Sequence, residues 1–183
     1  MQALPLVCHP ATPCSYVSAV TARVDRLSED LLILYYQIEG DIDQLQLPPQ
    51  RRSAHTDGLW QHTCFEAFVR PDGARDYVEF NFSPSSEWAV YRFDDHRRGM
   101  AAIEPQQAPK IICRRREQRL EADIDVHLSG LMPQTDLYLA LAVVLEDQQG
   151  TLCYWALNHP PGNADFHHDA GFTLRLARGG DVT

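Results

Sequence analysis

The sequence predicts an all-β fold: a sandwich of two antiparallel sheets, about ten strands, little helix. Three observations carry the prediction. β-Branched and aromatic residues collect in short runs, turn signals built on proline and glycine separate those runs, and helical periodicity is poor throughout. The first run, residues 16–25, alternates, with Val17, Ala19 and Thr21 set against Tyr16, Ser18 and Val20. Residues 30–39 form a longer β-rich run. A proline-rich loop through Pro48 and Pro49 then extends to Gly58. Three consecutive strands follow at 62–70, 77–83 and 87–93. The turns between them are Pro71-Asp72-Gly73 and Ser83-Pro84-Ser85. Further strands are expected at 110–116, 119–125, 137–145, 152–157 and 172–176, with Gln148-Gln149-Gly150 as a turn. The best helical candidate is a short turn near 126–131. No repeat or linker divides the chain, so residues 1–178 read as one domain and 179–183 as a flexible tail.

Bulk properties narrow the function classes. A net charge of -9 argues against nucleic-acid binding, which needs a basic stripe against phosphates. The one dense basic run, Arg114-Arg115-Arg116 with Arg119, reads as a solvated hairpin. Cys8, Cys14, Cys64, Cys113 and Cys153 are odd in number and lack C-x-x-C spacing, so neither a disulfide framework nor a zinc site is expected. No basic region precedes an apolar run at the N-terminus, and no stretch reaches the ~18 apolar residues of a membrane span. The expected location is the cytoplasm, with no membrane partner.

The three strands from His62 to Phe93 hold the first candidate site. Parity sorts their side chains by face. Thr63, Phe65, Ala67 and Val69 make one apolar face, and Val78, Phe80 and Phe82 make another. If these faces coincide in the core, the opposite face gathers His62, Glu66, Glu79, Asn81, Trp88 and Arg92, with Tyr91 assigned to the core. The plain alternative is a solvated face of an antiparallel sheet. The mixture of carboxylate, amide, guanidinium and indole favours a polyhydroxylated ligand instead. Trp60 and Trp155 are candidate walls of such a site. Glu66 and Glu79 could also form a carboxylate pair of the kind used in glycoside hydrolysis. No nucleophile–base motif, phosphate loop or dinucleotide fingerprint is legible, so the chain reads as non-catalytic.

The second candidate is the loop from Asn158 to His168. His159, His167, His168 and Asp165 are chemically suited to zinc, iron or copper. His167 and His168 are adjacent and point opposite ways on an extended chain, so one of them would join His159, with His62 or His9 completing the set.

Several segments carry a resemblance across nearly the whole chain. They are Gly58-Leu59-Trp60-Gln61-His62-Thr63-Cys64-Phe65-Glu66, Glu79-Phe80-Asn81-Phe82-Ser83-Pro84 and Trp88-Ala89-Val90-Tyr91-Arg92-Phe93. Tyr154-Trp155-Ala156-Leu157 with His159-Pro160, and Asp165-Phe166-His167-His168 before Gly171-Phe172, complete them. With these, the chain resembles bacterial DOMON-like proteins, related to family 9 carbohydrate-binding modules. The resemblance implies a β-sandwich that binds either sugars or haem. For a sugar, it assigns Trp60, Glu66, Asn81, Arg92 and Trp155 to the site. For haem, the axial pair would be Met100 with His62 or His159. The resulting expectation is a non-catalytic module for a carbohydrate or polyol. A haem- or metal-binding protein is the first alternative, and a structural, partner-binding domain, such as a homodimer with the polar face covered, is the second.

Overall fold

The computed structural model describes residues 3–178. Among them the chain is all-β, with twelve antiparallel strands, three short 3-10 turns and no α-helix. The strands are β1 (Leu4–Cys8), β2 (Val17–Ser28), β3 (Leu31–Gly40), β4 (Cys64–Pro71), β5 (Tyr77–Phe82) and β6 (Trp88–Phe93). They continue as β7 (Ala101–Ala102), β8 (Lys110–Arg116), β9 (Arg119–His127), β10 (Leu137–Glu146), β11 (Leu152–Ala156) and β12 (Leu174–Leu176). All ten predicted strands are present, their limits shifted by three residues at most. The two unanticipated strands, β1 and β7, are short. The helical turn expected near 126–131 is instead the end of β9 followed by a turn in which Leu131 N–H donates to Leu128 O. The predicted flexible tail, 179–183, lies outside the described residues.

The sheet is continuous, in the order β7-β6-β5-β4-β10-β11-β1-β2-β3-β9-β8, with β12 added to β10. Two separate sheets were expected. The link between the halves is β1, which pairs with β2 through Leu4, Pro5 and Leu6 and with β11 through Val7 and Cys8. A strand that changes partner midway makes a corner, and the sheet curls. The β2-β3-β9 half is thereby brought across the core from the β4-β5-β10 half. The Tyr36 ring lies 5.2 Å from that of Phe65, and the Tyr36 hydroxyl donates to Glu66 O at 2.8 Å.

The main core follows from alternation. Val20, Ala22 and Val24 of β2, and Leu32, Leu34, Tyr36 and Ile38 of β3, face Phe65, Ala67, Val69, Val78, Phe80 and Phe82. Burying a side chain of this size contributes roughly 1.5–3 kcal/mol, so this layer dominates stability. Val17 is also buried, although it shares sequence parity with Ala19 and Thr21. A register shift between Val17 and Ala19 explains the change of face, since a bulge inserts one residue and inverts the alternation.

β4, β5 and β10 are buried on both faces, and β10 accordingly reads as an almost continuous apolar run. Their second face carries a separate cluster of Cys64, Phe68, Tyr77, Ala89, Tyr91, Phe93, Ala142 and Val144. This face, covered by loops rather than by the other half of the sheet, positions the candidate site.

Candidate functional site

Register decides which side chains share this face. Glu66 stands opposite Asn81 and Ala142, while Glu79 stands opposite Phe68 and Tyr91. Glu66, Glu79 and Asn81 are thus brought together, as parity predicted. Trp88 and Arg92 are not with them. Phe82 pairs with Trp88 and Val78 with Arg92, so Trp88, Val90 and Arg92 belong to the main-core side. Arg92 reaches across to donate to Leu131 O at 3.0 Å. The reassigned Tyr91 faces the site layer instead, where its hydroxyl donates to Asp57. Trp155 is also a core residue, opposite Val143 and Cys8, and its neighbour Tyr154 takes the outer face.

The face is not a solvated one. Glu66 is 3% exposed, Glu79 4% and Asn81 0%. Three loops cover it and leave a cleft of about 360 Å³, lined by Trp60, Glu66, Glu79, Arg97, Tyr154 and His167 among others. Trp60 sits in a 3-10 turn, Leu59–Gln61, entered through Gly58 in a left-handed conformation (φ 77°) that glycine adopts without a Cβ penalty. Its ring packs edge-on against Tyr91, with centroids 5.6 Å apart. Arg97 and Met100 arrive from the loop after β6, and Ala164, Phe166 and His167 from the loop after β11.

At the floor, Asn81 Nδ2 donates to Glu79 Oε1 at 2.6 Å, and the Cys64 thiol donates to Asn81 Oδ1 at 3.5 Å. Glu66 Oε1 is buried with no hydrogen-bond partner. Burial raises the Glu66 carboxyl well above its ordinary range, and the Glu79 charge raises it further. Burial likewise pushes Glu79 up to about 7, against the opposing effects of the Asn81 hydrogen bond and the Arg97 charge. These are adjacent acids that favour the protonated form.

His167 is neutral. Burial, reinforced by the Arg97 charge, lowers it to about 3. The Tyr77 hydroxyl accepts from Arg97 N–H at 3.2 Å and lies 2.8 Å from His167 Nδ1. With the Tyr77 proton given to Nδ1, the imidazole proton lies on Nε2, 3.7 Å from Glu79 Oε2. Arg97 is held by Asp165, with Nε 3.0 Å and Nη2 2.8 Å from Oδ1. His96 Nε2 contacts the other carboxylate oxygen at 2.7 Å. Burial alone would raise Asp165, but the His96 hydrogen bond and the Arg97 charge hold it below the usual carboxylate value.

The structure disperses the predicted metal set. His159 Nε2 bonds Val7 O at 2.8 Å, His168 Nδ1 accepts from Ala170 N–H at 3.1 Å, His167 faces Tyr77, and Asp165 is taken by Arg97 and His96. Among the described residues no group of three or more His, Cys, Asp or Glu side chains is disposed to hold a metal ion. Each imidazole instead fixes a separate loop segment. The haem pair fails a similar test: Met100 lines the cleft, but neither His62 nor His159 does. His62 pairs with Glu146 at 2.7 Å in a different groove, beside Pro48 and Pro49. The residues present do not fit either group.

Arg97, Tyr154, Phe93 and Phe166 were not identified from the sequence. For Phe93 and Tyr154 the signal existed in strand parity, once the register of β6 and β11 is known. For Arg97 the only signal is a polar loop, Asp94-Asp95-His96-Arg97-Arg98-Gly99, and a polar loop does not specify a site.

No protein-family model matches the chain, and no curated protein matches it. Solved structures do. The chain is similar to a protein from Bacteroides uniformis described as a "putative carbohydrate-binding protein", with 14% identity, TM-score 0.66, and coverage of 96% of this chain and 84% of that one. It is also similar to a family 9 carbohydrate-binding module from Caldicellulosiruptor kristjanssonii in complex with cellotriose, at 11% identity and TM-score 0.54, covering 91% of this chain and 78% of that one. A family 9 module from the same organism, in complex with glucose, aligns at 11% identity and TM-score 0.50, covering 81% and 72% of the two chains. At these identities the likeness defines a shared fold.

Proposed function

We propose that the protein is a non-catalytic carbohydrate-binding module whose site is the cleft over Glu66. It would be a DOMON-like member of the β-sandwich class that includes family 9 modules. The observation that carries the reading is Glu66 Oε1, a buried carboxyl oxygen without a partner at the edge of a cleft walled by aromatic rings. An unpaired buried polar atom costs about 1–3 kcal/mol, and a ligand hydroxyl would recover that loss. Trp60 and Tyr154 offer flat apolar faces to the C–H side of a sugar, while Glu66 and Glu79 address its hydroxyls. Two solved neighbours hold glucose and cellotriose, which supports the same ligand class. A cytoplasmic location belongs to this reading, and the five free cysteines support it.

The test is titration calorimetry with glucose and cellotriose on wild type, Trp60→Ala and Trp155→Phe. Trp60→Ala should weaken binding about tenfold, the loss of one ring face. Trp155→Phe should bind as wild type does, because Trp155 lies in the main core. If Trp60→Ala binds sugar unchanged, the cleft is not the site.

A further inference from the structure

The cleft's donor–acceptor balance narrows the ligand further, on the footing of the carbohydrate reading. Charged and titratable groups approach it from four directions: Glu66 on β4, Glu79 on β5 with Tyr77 behind it, His96 and Arg97 after β6, and Asp165 and His167 after β11. The guanidinium is already committed to Asp165, and His96 completes that cluster. His167 is uncharged and its Nδ1 is taken by Tyr77. Two carboxyl groups therefore face the cleft with no free cation among the described residues. Glu66 Oε1 lacks any donor, and Glu79 Oε2 has only His167 Nε2 at 3.7 Å.

We propose that the cleft takes a sugar bearing a protonated amine, whose ammonium lodges between Glu66 and Glu79 against the rings of Trp60, Tyr154 and Phe166. An ammonium has three donors and no acceptor, the complement of a Glu66 Oε1 without a donor and a Glu79 Oε2 with only His167 Nε2 at 3.7 Å. A hydroxyl could fill the same place, but it would leave the two acids protonated and the charge-assisted bond unmade. Aromatic faces add attraction for a cation and none for a neutral hydroxyl. The overall charge of -9 draws cations toward the molecule rather than repelling them.

Because both acids favour the protonated form in the free protein, binding of the ammonium would expel protons. The experiment is calorimetric titration at pH 7 with glucosamine, glucose and N-acetylglucosamine, each in two buffers of different ionisation heat. Glucosamine should bind about tenfold more tightly than glucose, with proton release. N-Acetylglucosamine, which has lost the charge, should show neither effect. Glu66→Gln should abolish the preference for the amine. If that variant does not fold, Glu79→Gln serves the same purpose. Equal or tighter binding of glucose overturns the ammonium site and leaves the carbohydrate reading standing. A thermal shift with methylammonium but no binding of any sugar does the reverse, upholding the cation site against the carbohydrate reading. If none of the four binds, both fall.

Discussion

Glu79 should make the stability of this protein fall as pH rises through neutrality. Its carboxyl is 4% exposed and is raised from 4.5 to about 7 in the folded state, chiefly by burial. Between those two values the folded chain holds a proton that the unfolded chain has released, so stability declines as pH increases. The full cost, reached above pH 7, is about 3 kcal/mol at 1.36 kcal/mol per pH interval. Below pH 4.5 both states are protonated and the cost vanishes. Glu79→Gln removes the titration while keeping an oxygen to accept from Asn81 Nδ2. Denaturant unfolding of wild type and variant at pH 5, 6, 7, 8 and 8.5 isolates the effect. The variant should gain about 2.5 kcal/mol relative to wild type between pH 5 and 8.5, or roughly 5–10 °C in melting temperature for a chain of this size. Parallel pH curves for the two proteins would show that Glu79 ionises normally, and the electrostatic argument for the cleft would lose its base.

Two further outcomes test the packing. Tyr36→Phe deletes the hydroxyl that joins the two halves of the sheet and removes its hydrogen bond to Glu66 O, so it should destabilise by about 0.5–1.5 kcal/mol in denaturant unfolding without changing sugar affinity. Arg26 is 4% exposed and donates to Thr135 O at 2.7 Å and Glu29 O at 3.1 Å. Arg26→Met leaves both carbonyls without these donors and should cost about 2 kcal/mol or more in the same measurement.

The strands were legible because their signal is local. β-Rich composition and turn residues mark Leu31–Gly40, Lys110–Arg116 and Leu137–Glu146 without reference to the rest of the molecule. What was not legible depends on partners. β1 is five residues with a proline at its second position, too short to stand out, and only its pairing with both β2 and β11 shows that it joins the halves. The bulge after Val17 is equally invisible, since an inserted residue leaves no mark on composition.

The site shows the same division in sharper form. Parity within β4 and β5 placed Glu66, Glu79 and Asn81 correctly, because each strand has one plainly apolar set to orient it. In β6 both sets are apolar or aromatic apart from Arg92: Trp88, Val90 and Arg92 against Ala89, Tyr91 and Phe93. Alternation then gives two faces but not their assignment, and polarity favoured the wrong one because Arg92 resembles a ligand-binding group. The five residues between β5 and β6 settle the matter through their turn. Ser86 takes a positive φ of 81° and its N–H donates to Ser83 O, fixing Phe82 opposite Trp88. Once that register is set, Arg92 moves to the core side, where it donates to a backbone carbonyl. The cation that does reach the cleft, Arg97, comes from a loop and is already bound to Asp165. One turn therefore changes the expected chemistry of the face, from a balanced mixture of carboxylate and guanidinium to two acids without a free counter-ion. That imbalance makes the charge of the ligand, more than its hydroxyl pattern, the property this cleft is built to distinguish.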